Sequence, residues 1–262
     1  MNSFASQKIP TSRIATFDVF SIGLKKHHVT ALLEFDVTES RQKLRNLKRS
    51  GQKVSLNGWL LKTIAKTLEV HPEAAAFLSG KHKLIMFRNI NISLLVEKNI
   101  NGKKVPIPLV IEKANEKSIE QITLEIENSK NAVLSEKDIL LNKKPKLYEK
   151  LYYLMPGFLR RQVWHFMLGN PQLAYNKMGN IAVTSLGMVG KINGWFIHKS
   201  VHPLSFGLGS VIKKAVVIND EIKIREILNV TVLLDHDVID GAPMVRFIKT
   251  LTHSIERGTE FS

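Results

Sequence analysis

The 262-residue chain is 44% hydrophobic and 23% charged, enough to bury a substantial core in one large domain or two small ones. It has no cysteine, which excludes disulfides, thiolate metal ligands and a cysteine nucleophile, so any nucleophilic sulfur has to arrive on a substrate. Thirty-eight Lys and Arg against 23 Asp and Glu give a net charge of +15, which favours an anionic partner such as a phosphorylated cofactor or a membrane surface. The basic residues are scattered and form no recognisable nucleic-acid module, so nucleic acid is not an expected partner. No uninterrupted apolar run is long enough to span a bilayer, and the opening MNSFASQKIP lacks the apolar stretch of a secretory leader. A cytoplasmic location is the resulting expectation.

Helical and alternating periods intermingle along the whole chain, without a repeat or a Gly/Ser-rich linker, which points to a single α+β domain over residues 1–262. Val29 to Phe35 is rich in strand formers. A short basic helix follows, with Thr38 as its expected cap, Leu44 and Leu47 on one face and Gly51 beyond its end. Leu60, Leu61, Ile64, Ala65 and Leu68 then recur at helical spacing from about Ser55 to Val70, and Pro72 stops the run. Ile90 to Val96 and Val105 to Ile111 read as strands joined across a polar turn, the second at an edge because Pro106 and Pro108 cannot donate to a ladder. Ser118 and Gln121 have capping-box spacing and open a helix bearing Ile119, Ile122 and Ile126.

The last third reads as five short strands: Asn180 to Ser185, Phe206 to Ile212, Ala215 to Ile218, Ile222 to Arg225 and Asn229 to Asp235. Asn219 and Asp220 form a hairpin turn within them. A final helix after Gly241 carries Pro243 in its first turn, presents Val245, Ile248, Leu251 and Ile255, and ends at Gly258.

The run NVTVLLD delivers His236 at a strand end, and Asp240-Gly241 follow just before the last helix. A neutral imidazole held on a rigid element can accept a proton near neutral pH, while a carboxylate close by can order the loop. The same spacing also suits a histidine that merely ends a strand and an aspartate that caps a helix. HExxH and other metal-ligand spacings are missing, as are Gly-rich phosphate loops, so no metal site is expected. Gly207 and Gly209 read as close-packing positions.

The segment DHDVIDG resembles the DHRxxDG signature of the dihydrolipoamide acyltransferases that form the catalytic cores of 2-oxoacid dehydrogenase complexes, and the HxxxDG motif of chloramphenicol acetyltransferase. Three further blocks occur in the family's order. VTALLEFDVTE is similar to its first core strand, NISLLVEKNINGKKVPIPLVIEKANEKSI to its central hairpin, and NIAVTSLGMVG to its TISNLGMFG stretch. The resemblance implies a chloramphenicol acetyltransferase-like fold, an α/β two-layer sandwich assembling as trimers with the site between subunits. It also implies coenzyme A or acyl-CoA as a substrate. In such an enzyme His236 takes the proton of a thiol, Thr184 donates a hydroxyl to the oxyanion with Ser185 as the alternative, and Asp240 orders the loop, with Arg13 as a candidate basic partner. A lipoylated protein or an apolar small molecule is the acceptor. A catalytically silent scaffold keeping the fold is the competing reading.

Three departures from the family pattern stand out. Asp237 replaces the arginine that normally follows the histidine, and its negative charge beside the imidazole is expected to raise the pKa of His236. The resemblance begins within the first 30 residues, so no lipoyl group is expected on this chain. Residues 140–173 replace a short family connection. There Lys143, Lys144, Lys146, Lys150, Arg160 and Arg161 alternate with large apolar residues as in helices that lie on membranes, Pro156-Gly157 breaks the segment in two, and His165 reads as a surface residue. Peripheral membrane contact and packing on the domain itself are both compatible with this pattern.

Overall fold

A computed structural model describes residues 4–7, 9, 13–100, 103–131, 147–185, 190 and 192–261. It is a two-layer α/β sandwich, as expected from the resemblance. The elements that build it are helix α1 (Arg13–Gly23), strand β1 (His28–Asp36), helices α2 (Thr38–Arg49) and α3 (Leu56–Val70), and the small hairpin β2 (Phe77–Ser79) and β3 (Lys83–Ile85). Strands β4 (Ile92–Ile100) and β5 (Lys103–Ile111) and helix α4 (Ile119–Asn131) follow. Helices α5 (Leu147–Leu154), α6 (Gly157–Gly169) and α7 (Pro171–Met178) lead to strand β6 (Ile181–Ser185). Strands β7 (Leu204–Ile218) and β8 (Glu221–Asp235) and helix α8 (Gly241–Arg257) complete the fold.

The main sheet runs β1-β8-β7-β6-β4-β5, antiparallel except where β6 pairs in parallel with both β4 and β7. Strand alternation sends Val230, Val232 and Leu234 of β8, Phe206 of β7, Val183 of β6 and Leu94 of β4 into one core, where α3, α4 and α8 cover them. Trp59 of α3, wholly buried, stacks on Phe261 with centroids 5.2 Å apart. Pro106 and Pro108 lie on β5 at the sheet's edge, where a missing donor leaves no bond unmade. The Ser118–Gln121 capping box is formed in both directions, at 2.8 and 3.2 Å.

The local reading differs from the structure at several points. The four short runs between Phe206 and Asp235 merge into two 15-residue strands, because the turn at Asn219 and Asp220, both at positive φ, pairs them in one antiparallel ladder interrupted between Leu208 and Val211. Thr38 does not cap α2: Val37 occupies the cap position, and the Thr38 hydroxyl donates to Asp36 and accepts from the Glu226 amide instead. Val245 points to solvent; the buried face of α8 is formed by Met244, Phe247, Leu251 and Ile255. Helices α1 and α7 were not legible as elements.

The other face of the sheet is polar and crossed by residues 192–203. Asn229, Thr231, Asp235 and Ser205 are buried there, on the strand positions opposite to the core. The Trp195 indole donates to the Leu33 carbonyl at 2.9 Å, and His198 bonds the Ser205 hydroxyl, so that the crossing segment is tied to the strands. Gly207 permits this approach: a Cβ there would lie 3.1 Å from the His198 ring and 3.3 Å from the Phe196 carbonyl oxygen.

Helices α5 and α6 break at Pro156-Gly157 as expected; Lys143, Lys144 and Lys146 lie outside the described residues. Their docking onto α1 is polar at its centre. Asp18, buried, receives the Arg160 guanidinium at 2.7 Å and the Tyr152 hydroxyl at 3.0 Å, and Tyr152 in turn accepts from the Trp164 indole at 2.9 Å. Arg160 is therefore an internal anchor rather than a charge offered to a membrane, while Arg161 is exposed. Arg160→Gln should lower the melting temperature and open the 147–169 segment to limited proteolysis, because Asp18 would remain buried without its cation. Arg161→Gln should leave both measurements unchanged, and equal effects from the two substitutions would remove the anchor.

Candidate active site

Strand β8 ends in the run Val232-Leu233-Leu234-Asp235, and the Asp235 carboxylate is wholly buried. An ionised group in that position needs a cation, and Lys26, in the link between α1 and β1, supplies one at 2.6 Å. The Asp235 main chain accepts from the amides of Val238 and Ile239 at 3.1 and 3.3 Å, and its side chain accepts from the Asp237 amide at 3.3 Å. A tight turn results, with Val238 and Ile239 plugged into the core. His236 sits at the top of this turn, exposed. Its own amide donates to the His27 carbonyl at 3.0 Å, and its ring has no partner among the described residues. The base candidate is thus held by its backbone and free at its imidazole.

Asp240 occupies the cap position of α8, but its side chain makes no capping bond and is exposed. Arg13 is exposed at the start of α1, and no ion pair joins it to Asp240 among the described residues. Within the chain, ordering of the loop therefore falls to Asp235 and Lys26. Sequence reasoning missed this pair. An acid directly after the apolar run Val232-Leu233-Leu234 was the available signal, but only the register that sets His28 opposite Asp235 brings Lys26 to it.

Asp237 is next to His236 in the chain but hydrogen-bonds a different ring. Its carboxylate turns to the His27 ring at 2.9 Å. This hydrogen bond, reinforced by the charge of Asp237, raises the His27 pKa above its ordinary value.

Thr184 and Ser185 end β6 and face opposite sides of the sheet, as neighbours in a strand must. Thr184 opens into a cavity of about 480 Å³ with Phe20, Leu95, His198 and His202. Burial pushes the His202 pKa down to about 4 and lowers that of His198, so both imidazoles are neutral at neutral pH. Ser185 lines a different cavity of about 390 Å³ at the start of α3, with Ser55 and Asn57. Within one chain Thr184 and His236 are far apart. Thr184 lies opposite Gly207, and Gly207 opposite Thr231, five residues short of His236 on β8. Two strand spacings across and five residues along separate them by roughly 15–20 Å.

This architecture has known counterparts. The family described as 2-oxoacid dehydrogenases acyltransferase (catalytic domain) matches residues 6–138 and 172–261. The chain belongs to that family and is an acyltransferase domain. The match passes over 139–171, which holds α5 and α6. Among curated relatives, the Rickettsia prowazekii dihydrolipoyllysine-residue acetyltransferase component of the pyruvate dehydrogenase complex is 28% identical over 204 residues, 78% of this chain and 41% of the relative. The chain spans less than half the length of the curated relatives it matches. The cubic core of the pyruvate dehydrogenase multienzyme complex superposes with a TM-score of 0.68 at 20% identity, covering 98% of this chain and 94% of that one. Azotobacter vinelandii dihydrolipoamide acetyltransferase, studied for the catalytic roles of a serine, a histidine and an asparagine, superposes at 0.69 with 19% identity over the same shares of the two chains. Both likenesses define the fold.

The His27–Asp237 contact can be tested by titration. In NMR spectra the His27 ring should titrate above its ordinary value near 6.5, and Asp237→Asn should return it towards that value. A folded-state pKa raised in this way contributes stability that is fully present below about pH 6.5 and fades as the pH rises through the folded value. An unchanged His27 titration in Asp237→Asn would show the pair to be broken in solution.

Proposed function

We propose that the protein transfers an acyl group between coenzyme A and a dihydrolipoyl thiol, with His236 as the general base. The observation that carries this reading is the placement of His236: an exposed imidazole, unpartnered among the described residues, on a turn whose amides from Asp235 to Ile239 all donate hydrogen bonds. His236 removes the thiol proton as the sulfur attacks the thioester carbonyl. A free thiol ionises near pH 8.5, within reach of a base that is neutral at physiological pH. The tetrahedral oxyanion accepts a hydrogen bond from the Thr184 hydroxyl, then collapses and expels the second sulfur, which recovers the proton from the imidazolium. No net charge is left behind.

The spacing of Thr184, His236 and Asp240 along the chain equals that of the serine, histidine and asparagine studied in the Azotobacter enzyme, which supports Thr184 over Ser185. The separation of Thr184 from His236 within one chain supports a site built by two copies, Thr184 of one subunit facing His236 of the next. A trimer or a multiple of trimers satisfies this geometry, in keeping with the cubic core among the structural counterparts. The basic chain offers cations to the phosphates of coenzyme A.

With acetyl-CoA and dihydrolipoamide as probes, and free coenzyme A measured by chromatography, His236→Ala should lower turnover by about 100- to 10,000-fold while leaving melting unchanged. Thr184→Val should lower kcat by roughly 100- to 1,000-fold with little change in KM, because an oxyanion donor acts mainly in the transition state. Light scattering should give a trimer or its multiple. Mixing the two inactive variants under conditions of subunit exchange should restore a fraction of the activity, since some interfaces then join an intact Thr184 to an intact His236. Normal kcat in His236→Ala would overturn the reading, and failed complementation between exchanging subunits would return the site to one chain.

A further inference from the structure

The His236 ring has no partner among the described residues, so the groups that fix its turn decide where the imidazole points. Asp235 is the hub: it closes the turn through three bonds from downstream amides, and it donates its own amide to the Pro203 carbonyl at 2.8 Å. Its carboxylate has no exposed surface, and the single cation bonded to it among the described residues is Lys26, at 2.6 Å. Lys26 in turn cannot drift, because the next residue is bound to the turn twice. The His27 carbonyl accepts from the His236 amide, and the His27 ring meets Asp237. The dipeptide Lys26-His27 thus holds the tripeptide Asp235-His236-Asp237 at every residue, on the stretch that extends the β1–β8 ladder past its last pair, His28 with Asp235.

We propose that Lys26 is a positioning residue for His236: by neutralising the buried Asp235 carboxylate it keeps the turn in the one arrangement that aims the imidazole outward. The proposal rests on His236 being the base. Without the ammonium group, Asp235 is either left charged in a buried site or forced to take up a proton. In both cases its side chain loses the ion pair against which the turn is set, and the ring of the next residue, His236, samples several orientations. Misplacement of a catalytic group by about 1 Å is enough to cost on the order of 100-fold in rate.

Lys26→Met, Lys26→Arg and the double variant Lys26→Met/Asp235→Asn test this with acetyl-CoA and dihydrolipoamide. Lys26→Met should lower kcat by about 10- to 100-fold at nearly constant KM. Lys26→Arg should recover most of the loss, because a guanidinium can also reach the carboxylate. The double variant removes both charges, so it should fold even if Lys26→Met does not, and should remain slow. A direct readout is the ring spectrum of His236 in isotopically labelled protein: one sharp set of signals in the parent and in Lys26→Arg, broadened or multiple signals in the other two. Parental kcat together with a parental His236 spectrum in the folded double variant overturns the proposal. The spectrum does not depend on turnover. If His236→Ala keeps normal activity, the assignment of the base fails by itself, while the effect of Lys26 on the His236 ring is still read from the spectra.

Discussion

The antiparallel pairing of β7 with β8 is the constraint on which the rest depends. Thirty residues joined by a two-residue turn run through the middle of the sheet, and every neighbouring element is placed by them. Because side chains alternate, the register sends Leu204, Phe206, Val230, Val232 and Leu234 to the helical layer, and Ser205, Asn229, Thr231 and Asp235 to the opposite face. A shift by one residue would exchange the two sets and bury polar groups in the core. The irregularity between Leu208 and Val211 is confined to the middle of the ladder, so the end that carries His236 keeps its pairing with β1.

The function drawn from this fold depends on how polar groups are treated at the two ends of the sheet's polar face. At one end a buried carboxylate is matched by one ammonium group, and the chain reverses around it. Towards the middle, Thr184 borders a cavity whose imidazoles stay neutral because burial disfavours their charge. Within one chain Thr184 and His236 lie far apart, which is the geometric basis of the proposed two-copy site.

Helices α5 and α6, which lie outside the family match, are attached by a different principle. Their apolar side chains Leu154, Phe158 and Phe166 are largely exposed, and the contact with α1 is centred on the buried Asp18. A charge-assisted anchor of this kind fixes orientation, because a carboxylate accepts from a guanidinium and a phenol only in narrow geometries. The alternation of basic and apolar residues read along this segment was real, yet it did not reveal that one of its arginines faces inward.

Sequence by itself determined the elements with strong local causes and the family to which the chain belongs. Pro72 and Gly258 stop helices, the Ser118–Gln121 box starts one, Pro106 and Pro108 mark an edge strand, and the ordered blocks around His236 carry the family resemblance. These are effects of neighbouring residues, for which a short window contains all the physics. Tertiary structure decided what depends on register and on distant partners. It joined short runs into long strands, turned Val245 out to solvent, and gave Asp237 to His27 rather than to His236. It also left Asp240 and Arg13 unpaired with one another among the described residues, and set Lys26 against Asp235 across 209 positions of chain. Whether a carboxylate ends up in water or beside an ammonium group is settled by the sheet that buries it, and no local spacing encodes that choice.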